Sequence, residues 1–333
     1  MTLIGFSRFM KKFLPYMVAV DIGIAIIVGK FYPGLGKALK PYTIIPIFLM
    51  LIPMMISANV GGILRVFKNP KLVISAVILN FIISPPLGKL LASAFYHHQP
   101  VLLPVGYILN MVTPCSDMVI AWTGFAGGSI EVATAIVALS LVSAIGFIPV
   151  WMWLLTHTWV HVPIGIIFKS LVIVVIIPLI LGYGIRIWML KKMGEKRFLQ
   201  IKPSFPAISS IGMYMIVFIA MTIVAQSIIK HPMYIIIVAV SMGVYYLLLF
   251  GIAVGWSKIG RFKYGEMVAL SYSVTAKNLS ITIAIAIVTW GGLAVLVPAF
   301  DPVIQVPIMI LILTLTQKLK KHFDSSELVR MDV

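Results

Sequence analysis

From Met233 to Trp256 the chain reads MYIIIVAVSMGVYYLLLFGIAVGW, and from Leu171 to Ile185 it reads LVIVVIIPLILGYGI, both without a charged residue. A crossing of the bilayer core takes roughly 20 mostly apolar residues. Inside lipid, every backbone N–H and C=O must be satisfied by protein, which leaves only helices or a closed barrel. Barrel strands alternate apolar with polar residues and these runs do not, so the expected class is an all-α polytopic membrane protein. Composition agrees: with 61% of residues hydrophobic and 11% charged, there is too little polar material to coat a soluble globule of 333 residues.

Cutting at Pro, Gly and charge clusters predicts ten transmembrane helices, at 13–30, 41–60, 70–94, 101–125, 131–155, 170–190, 205–228, 233–256, 266–290 and 293–316. Cytoplasmic loops are enriched in Lys and Arg. On this plan 19 of the 26 basic residues fall on the side that holds both termini, six fall opposite, and Lys277 lies inside a span. The expected location is therefore the cell membrane, multi-pass, with both termini cytoplasmic. The basic start at Arg8, Lys11 and Lys12 does not read as a signal peptide, because the apolar stretch leads into further spans with no small-residue cleavage site. Anionic headgroups account for the net charge of +17, so membrane lipid is the expected partner and nucleic acid is not.

Ten spans divide into two sets of five around His157 to Pro163. An odd number per half forces the halves into opposite orientations, an inverted repeat. The expected units are 1–156 (spans one to five), 163–320 (spans six to ten) and a cytoplasmic tail, 321–333. Gly127-Gly128 and Gly291-Gly292 end spans four and nine at an offset of 164 residues, which also carries Thr113-Pro114 onto Lys277-Asn278.

Span four places Thr113, Pro114, Cys115, Ser116 and Asp117 mid-membrane, and Pro114 should break the helix there. Span nine holds Lys277 and Asn278 at similar depth in SYSVTAKNLSITIAIAI. Paired interruptions in corresponding spans point to a transporter's binding site. An ionised group at midplane is costly unless paired or hydrated, which makes Asp117 and Lys277 candidates for coupling. Asp21 faces a cavity or its rim, Glu131 and Glu266 suit helix N-termini, and Asp301 precedes Pro302 in an expected interruption of span ten. Cys115 is the one cysteine, so an internal disulfide and cysteine-built metal cages are excluded. The six histidines lack metal-ligand spacing, and no cofactor is expected.

Three stretches, PCSDMVIAW with GFAGGSIEVATAIVALSLVSAI, TAKNLSITIAIAIV, and DPVIQVPIMILIL, resemble the arsenite efflux permeases of the arsenical-resistance family, within the bile acid/sodium symporter superfamily. The resemblance implies a core and a panel domain, with discontinuous helices four and nine crossed in the core. It puts Cys115 at the position of the family's thiol, a soft ligand suited to thiophilic trivalent arsenic. Where those permeases carry carboxylates in spans nine and ten, this chain has Ser280 and Gln305, and their asparagine pair is Lys277-Asn278.

The expected function is secondary active transport by alternating access, exporting arsenite or a related metalloid. Cys115, Thr113, Pro114 and Ser280 are the expected substrate contacts, and Asp117, Lys277 and Asn278 the charge or coupling elements. Sodium-coupled relatives place a cation beside the crossover. An ammonium at Lys277, paired with Asp117 or with broken-helix carbonyls, would replace it, making protons rather than sodium the expected coupling ion. The alternative is a carrier of a small organic anion or metabolite. An enzyme is not expected, since neither HExxH, GxSxG nor a phosphate-binding glycine loop is present.

Overall fold

A computed structural model describes residues 3–57, 70–116 and 118–331, with side chains from Tyr16 to Phe323 apart from Pro203. The described residues form helices and turns, plus one isolated antiparallel bridge. We label the principal helices α1 (Leu3–Phe31), α2 (Ile44–Ser57), α3 (Pro70–Phe95), α4 (Leu102–Val112), α5 (Met118–Phe125), α6 (Ile130–Thr156), α7 (Ile164–Ile201), α8 (Phe205–Lys230), α9 (Met233–Ile259), α10 (Tyr264–Thr275), α11 (Leu279–Thr289) and α12 (Leu296–Met331).

Among the described residues, six helical segments are long and apolar enough to cross a membrane: α3, α6, α7, α8, α9 and Gly292–Phe323. The rest of the expected plan is more broken. After Phe31 the chain bends by 112° into a short helical piece, Leu35–Tyr42. The expected second span appears as the 14-residue α2, and the residues after Ser57 up to 69 lie outside the described set. The expected fourth and ninth spans are each two short helices, α4 with α5 and α10 with α11. The expected interruption at Pro302 is absent, because α12 continues through both Pro302 and Pro307. Asp301 is held there by side chains of α4 and α9, which fix the turn that the proline weakens.

Polar residues on these helices mostly bond to their own backbone one turn back, which removes them from lipid. Thr156 Oγ1 donates to Met152 O at 2.6 Å, Ser170 Oγ to Ile166 O at 2.7 Å, and Ser257 Oγ to Ala253 O at 2.7 Å. Helix α8 packs along α1 and α2, and α7 packs against α2. Separately, α9 packs along α10 and α12, α3 along α4, and α5 against α6 and α10. Glycines permit the closest approaches, as small residues do in membrane interfaces. A Cβ on Gly106 of α4 would lie 2.1 Å from the carbonyl oxygen of Ala294, and one on Gly212 of α8 would lie 2.5 Å from the backbone of Met50.

Two breaks thus face each other, one between α4 and α5 and one between α10 and α11. The starts of α6 and α10 meet at one end of the molecule, where Ser129 N–H donates to Gly265 O at 3.0 Å and Tyr264 OH to Ala126 O at 2.8 Å.

The glycine contacts give a test with opposite signs. Gly106→Ala should destabilise the purified protein by about 1–3 kcal/mol, because backbone cannot yield to the new methyl. Gly146→Ala, at an open position of α6, should be neutral or stabilising by up to about 1 kcal/mol through helix propensity. Thermal unfolding in detergent measures both, and equal shifts would contradict the packing.

Candidate functional site at the paired helix breaks

Proline at 114 removes a backbone donor and disfavours the helical region for the residue before it. Thr113 accordingly leaves the helix for extended geometry, φ −72° and ψ 146°, and α4 stops at Val112. Opposite, Ala276 (φ −95°, ψ 86°) and Asn278 (φ −85°, ψ 86°) unwind the chain between α10 and α11. The two open stretches satisfy each other: Ser116 N–H donates to Ala276 O and Asn278 N–H donates to Pro114 O, each at 2.9 Å. This forms an antiparallel bridge with Cys115 opposite Lys277. Bonds that flank such a pair, rather than joining it, bring the two side chains close together.

The Lys277 side chain is fully buried. Its ammonium donates to Ser84 Oγ at 3.0 Å, Met111 O at 3.1 Å and Thr113 O at 3.4 Å. Three donors thereby meet three acceptors. Two of these are carbonyls at the C-terminal end of α4, where the helix dipole presents negative potential. Ser84 also donates to Met111 O at 2.9 Å and lies 2.5 Å from Tyr245 OH, so the lysine is tied to α3 and α9 as well.

On the same last turn of α4, Asn110 faces a second buried charge. Asn110 Nδ2 donates to Asp301 Oδ2 at 2.8 Å, and Tyr246 OH donates to the same oxygen at 2.6 Å. Gln305 Nε2 donates to Tyr246 OH at 3.1 Å, which directs the phenol proton toward the carboxylate. The last turn of α4 therefore has an ammonium on its carbonyls and a carboxylate on its side chain.

Among the other expected contacts, Cys115 is 1% exposed, with Sγ 2.9 Å from Ser140 Oγ of α6. Thr113 is buried and donates from Oγ1 to Leu109 O at 2.6 Å, and Pro114 is buried beside it. Asn278 caps α11, accepting from Ile281 N–H at 3.2 Å. Ser280, one residue into α11, is partly exposed. Asp117 lies outside the described residues. Asp21, Glu131 and Glu266 are elsewhere; Glu266 accepts from Lys263 N–H at 3.0 Å at the start of α10.

Around the crossover, buried polar atoms lack a partner among the described residues: Ser116 Oγ, Asn278 Nδ2, Asn110 Oδ1 and Asp301 Oδ1. Buried polar groups are paired in the great majority of proteins, so unpaired ones collected at a double helix break fit a place for a polar solute or water. Among the described residues, no group of three or more His, Cys, Asp or Glu side chains is placed to hold a metal ion. Ser84, Tyr245, Tyr246, Asn110 and Ser140 escape the sequence reading, because a serine, tyrosine or asparagine in an apolar run is commonplace. Only the groups they serve, Lys277, Asp301 and Cys115, stand out in the sequence.

Tyr246→Phe removes one of two donors to Asp301 and leaves Gln305 without its acceptor. A loss of roughly 1–3 kcal/mol is expected. Tyr183→Phe, at an exposed site, should change stability by less than about 0.5 kcal/mol. Calorimetric unfolding of the two variants checks the difference.

A profile of the Sodium Bile acid symporter family matches residues 44–231. The chain is similar to Arsenical-resistance protein Acr3 of Alkaliphilus metalliredigens, with 24% identity over an alignment that covers 95% of this chain and 94% of the relative. A second Acr3, from Corynebacterium glutamicum, is 24% identical over 91% of this chain and 87% of its own. An uncharacterized sodium-dependent transporter of Bacillus subtilis is 23% identical over 84% of each chain.

Proposed function

The chain belongs to the sodium/bile acid symporter family, and from that premise we propose that it exports arsenite or a related metalloid by alternating access, coupled to protons rather than sodium. It is a transporter and not an enzyme, in keeping with the family and its relatives. In this reading it is a ten-span protein of the cell membrane with both termini cytoplasmic, made of two inverted five-helix repeats. One body, the core, rocks against the other, the panel, around a fixed site at the crossed helices. Helices α1, α2, α7 and α8, which pack together, make the panel, and the remainder make the core.

The observation that carries the proposal is the bridge that sets Cys115 opposite Lys277 where both helices break. A thiol suits trivalent arsenic, and a single thiol contact is weak enough to release it. Thr113, Pro114 and Ser280 complete the substrate contacts, while Asp117, Lys277 and Asn278 serve charge and coupling. In transporters with broken helices, unwound carbonyls and half-helix C-termini commonly hold a sodium ion. Here those carbonyls, Met111 O and Thr113 O, already receive an ammonium. That supports sodium independence, with the proton carried on Lys277 as its surroundings alternate. The arsenical-resistance relatives favour the metalloid as substrate.

A second reading, a carrier of a small organic anion, rests on the positive charge of Lys277 and the neutral Ser280 and Gln305. The two make different demands: a carboxylate substrate needs the Lys277 charge for affinity, and neutral arsenous acid needs the Cys115 thiol.

Uptake of trivalent arsenic into everted vesicles tests the proposal. Native protein should accumulate arsenic when the lumen is made acidic, and Cys115→Ser should reduce uptake at least about tenfold, the equivalent of roughly 1.4 kcal/mol. Absence of uptake by well-folded native protein would move the assignment to the anion carrier. Lys277→Gln should retain slow downhill movement but lose its acceleration by the proton gradient; acceleration that survives would remove Lys277 from coupling.

A further inference from the structure

A second feature lies away from the crossover, where α7 leaves the membrane. Along this helix, exposed Ile180 and Leu181 give way to exposed Tyr183 and Trp188, then to Lys191, Lys192, Lys196 and Arg197. Apolar, then aromatic, then basic is the order in which a helix passes from hydrocarbon through the headgroup layer. At Gly194 the backbone takes φ 76° and ψ 163°, a conformation open to glycine and closed to other residues. The chain turns back there. Residues twelve apart on an unbroken helix are about 18 Å apart along its axis, yet the Arg186 guanidinium sits 5.5 Å from the centre of the Phe198 ring.

Phe198 is 1% exposed and packs on Phe205 with ring centres 6.2 Å apart, which anchors the returning segment against the start of α8. Between the two arms lies a cavity of about 340 Å³, lined by Arg186, Leu190, Glu195, Phe198, Leu199 and Lys202. Burial and the neighbouring charge of Arg186 together push the Lys202 ammonium below the ordinary lysine pKa. Two cations are thus held near one another beside the aromatic and basic end of α7, with Glu195 as the one carboxylate among the described residues of the lining.

We propose that this cavity binds the phosphate of an anionic phospholipid headgroup, held by Arg186 and Lys202, with Leu190 and Leu199 against the glycerol and the first acyl carbons. Arginine's planar fork matches two phosphate oxygens, and lysine adds a point charge. An anion between the two offsets their mutual repulsion. Among the described residues the lining carries one positive charge in excess, which a phosphodiester bearing a single net negative charge balances and a zwitterionic headgroup does not. Basic pockets between helices at the membrane surface are suited to anionic headgroups. Bound lipid would brace the corner where α7, α8 and α2 meet, since Gly182 of α7 lies against Met55 and Ile56 of α2.

Native mass spectrometry of the full chain in detergent, with phosphatidylglycerol or phosphatidylcholine of matched acyl chains, tests the site. Native protein should retain phosphatidylglycerol severalfold better. Arg186→Gln and Lys202→Gln should each abolish that preference, Arg186→Lys should keep part of it, and Lys192→Gln, which removes an exposed charge outside the cavity, should leave it intact. Equal retention of the two lipids, or an equal loss with Lys192→Gln, would overturn the site. Displacement of the lipid by millimolar inorganic phosphate would show a free-phosphate site instead, overturning the lipid assignment.

Discussion

A helix broken inside a membrane exposes backbone groups that lipid cannot satisfy, and the fold answers by breaking two helices at one place. Ser116 and Asn278 donate across to Ala276 and Pro114, so each break caps the other. Much of the surrounding arrangement follows from that exchange. Lys277 can reach the open end of α4 because its own helix is unwound beside it, and Gly106 lets α4 pack against Ala294 in the turn before α12. Removing either break would strand the polar backbone of the other.

Buried charge is handled by the same economy of donors and acceptors. The ammonium of Lys277 fills three acceptors, and the carboxylate of Asp301 receives two donors, Asn110 and Tyr246, the second oriented by Gln305. Both rest against the final turn of α4, so a small displacement of that helix would alter both at once. At the centre of that geometry lie Cys115 and polar atoms of Ser116 and Asn278 that lack a partner among the described residues. In the proposed cycle the metalloid docks on the thiol while Lys277 occupies the position that a cation would take.

The helical class and the break at Pro114 were legible in the sequence because their causes are local: uninterrupted hydropathy and a missing N–H. The second break was legible as Lys277-Asn278 in an apolar run, though its backbone geometry depends on the first. Pro302 misled, because proline alone predicts an interruption, and the side chains that hold Asp301 come from helices distant in the chain. Ser84, Tyr245 and Ser140 were illegible for the same reason. Their role appears only when α3, α6 and α9 are brought against the crossover. The pairing of Cys115 with Lys277 likewise required two segments far apart in sequence to meet.

Sodium binding measures most directly whether Lys277 stands in for a cation, and it needs no knowledge of the substrate. In equilibrium dialysis with radioactive sodium, purified native protein should bind none above background, whereas Lys277→Ala, which vacates the carbonyls of Met111 and Thr113, should gain saturable binding. Saturable sodium binding by the native protein would contradict the account.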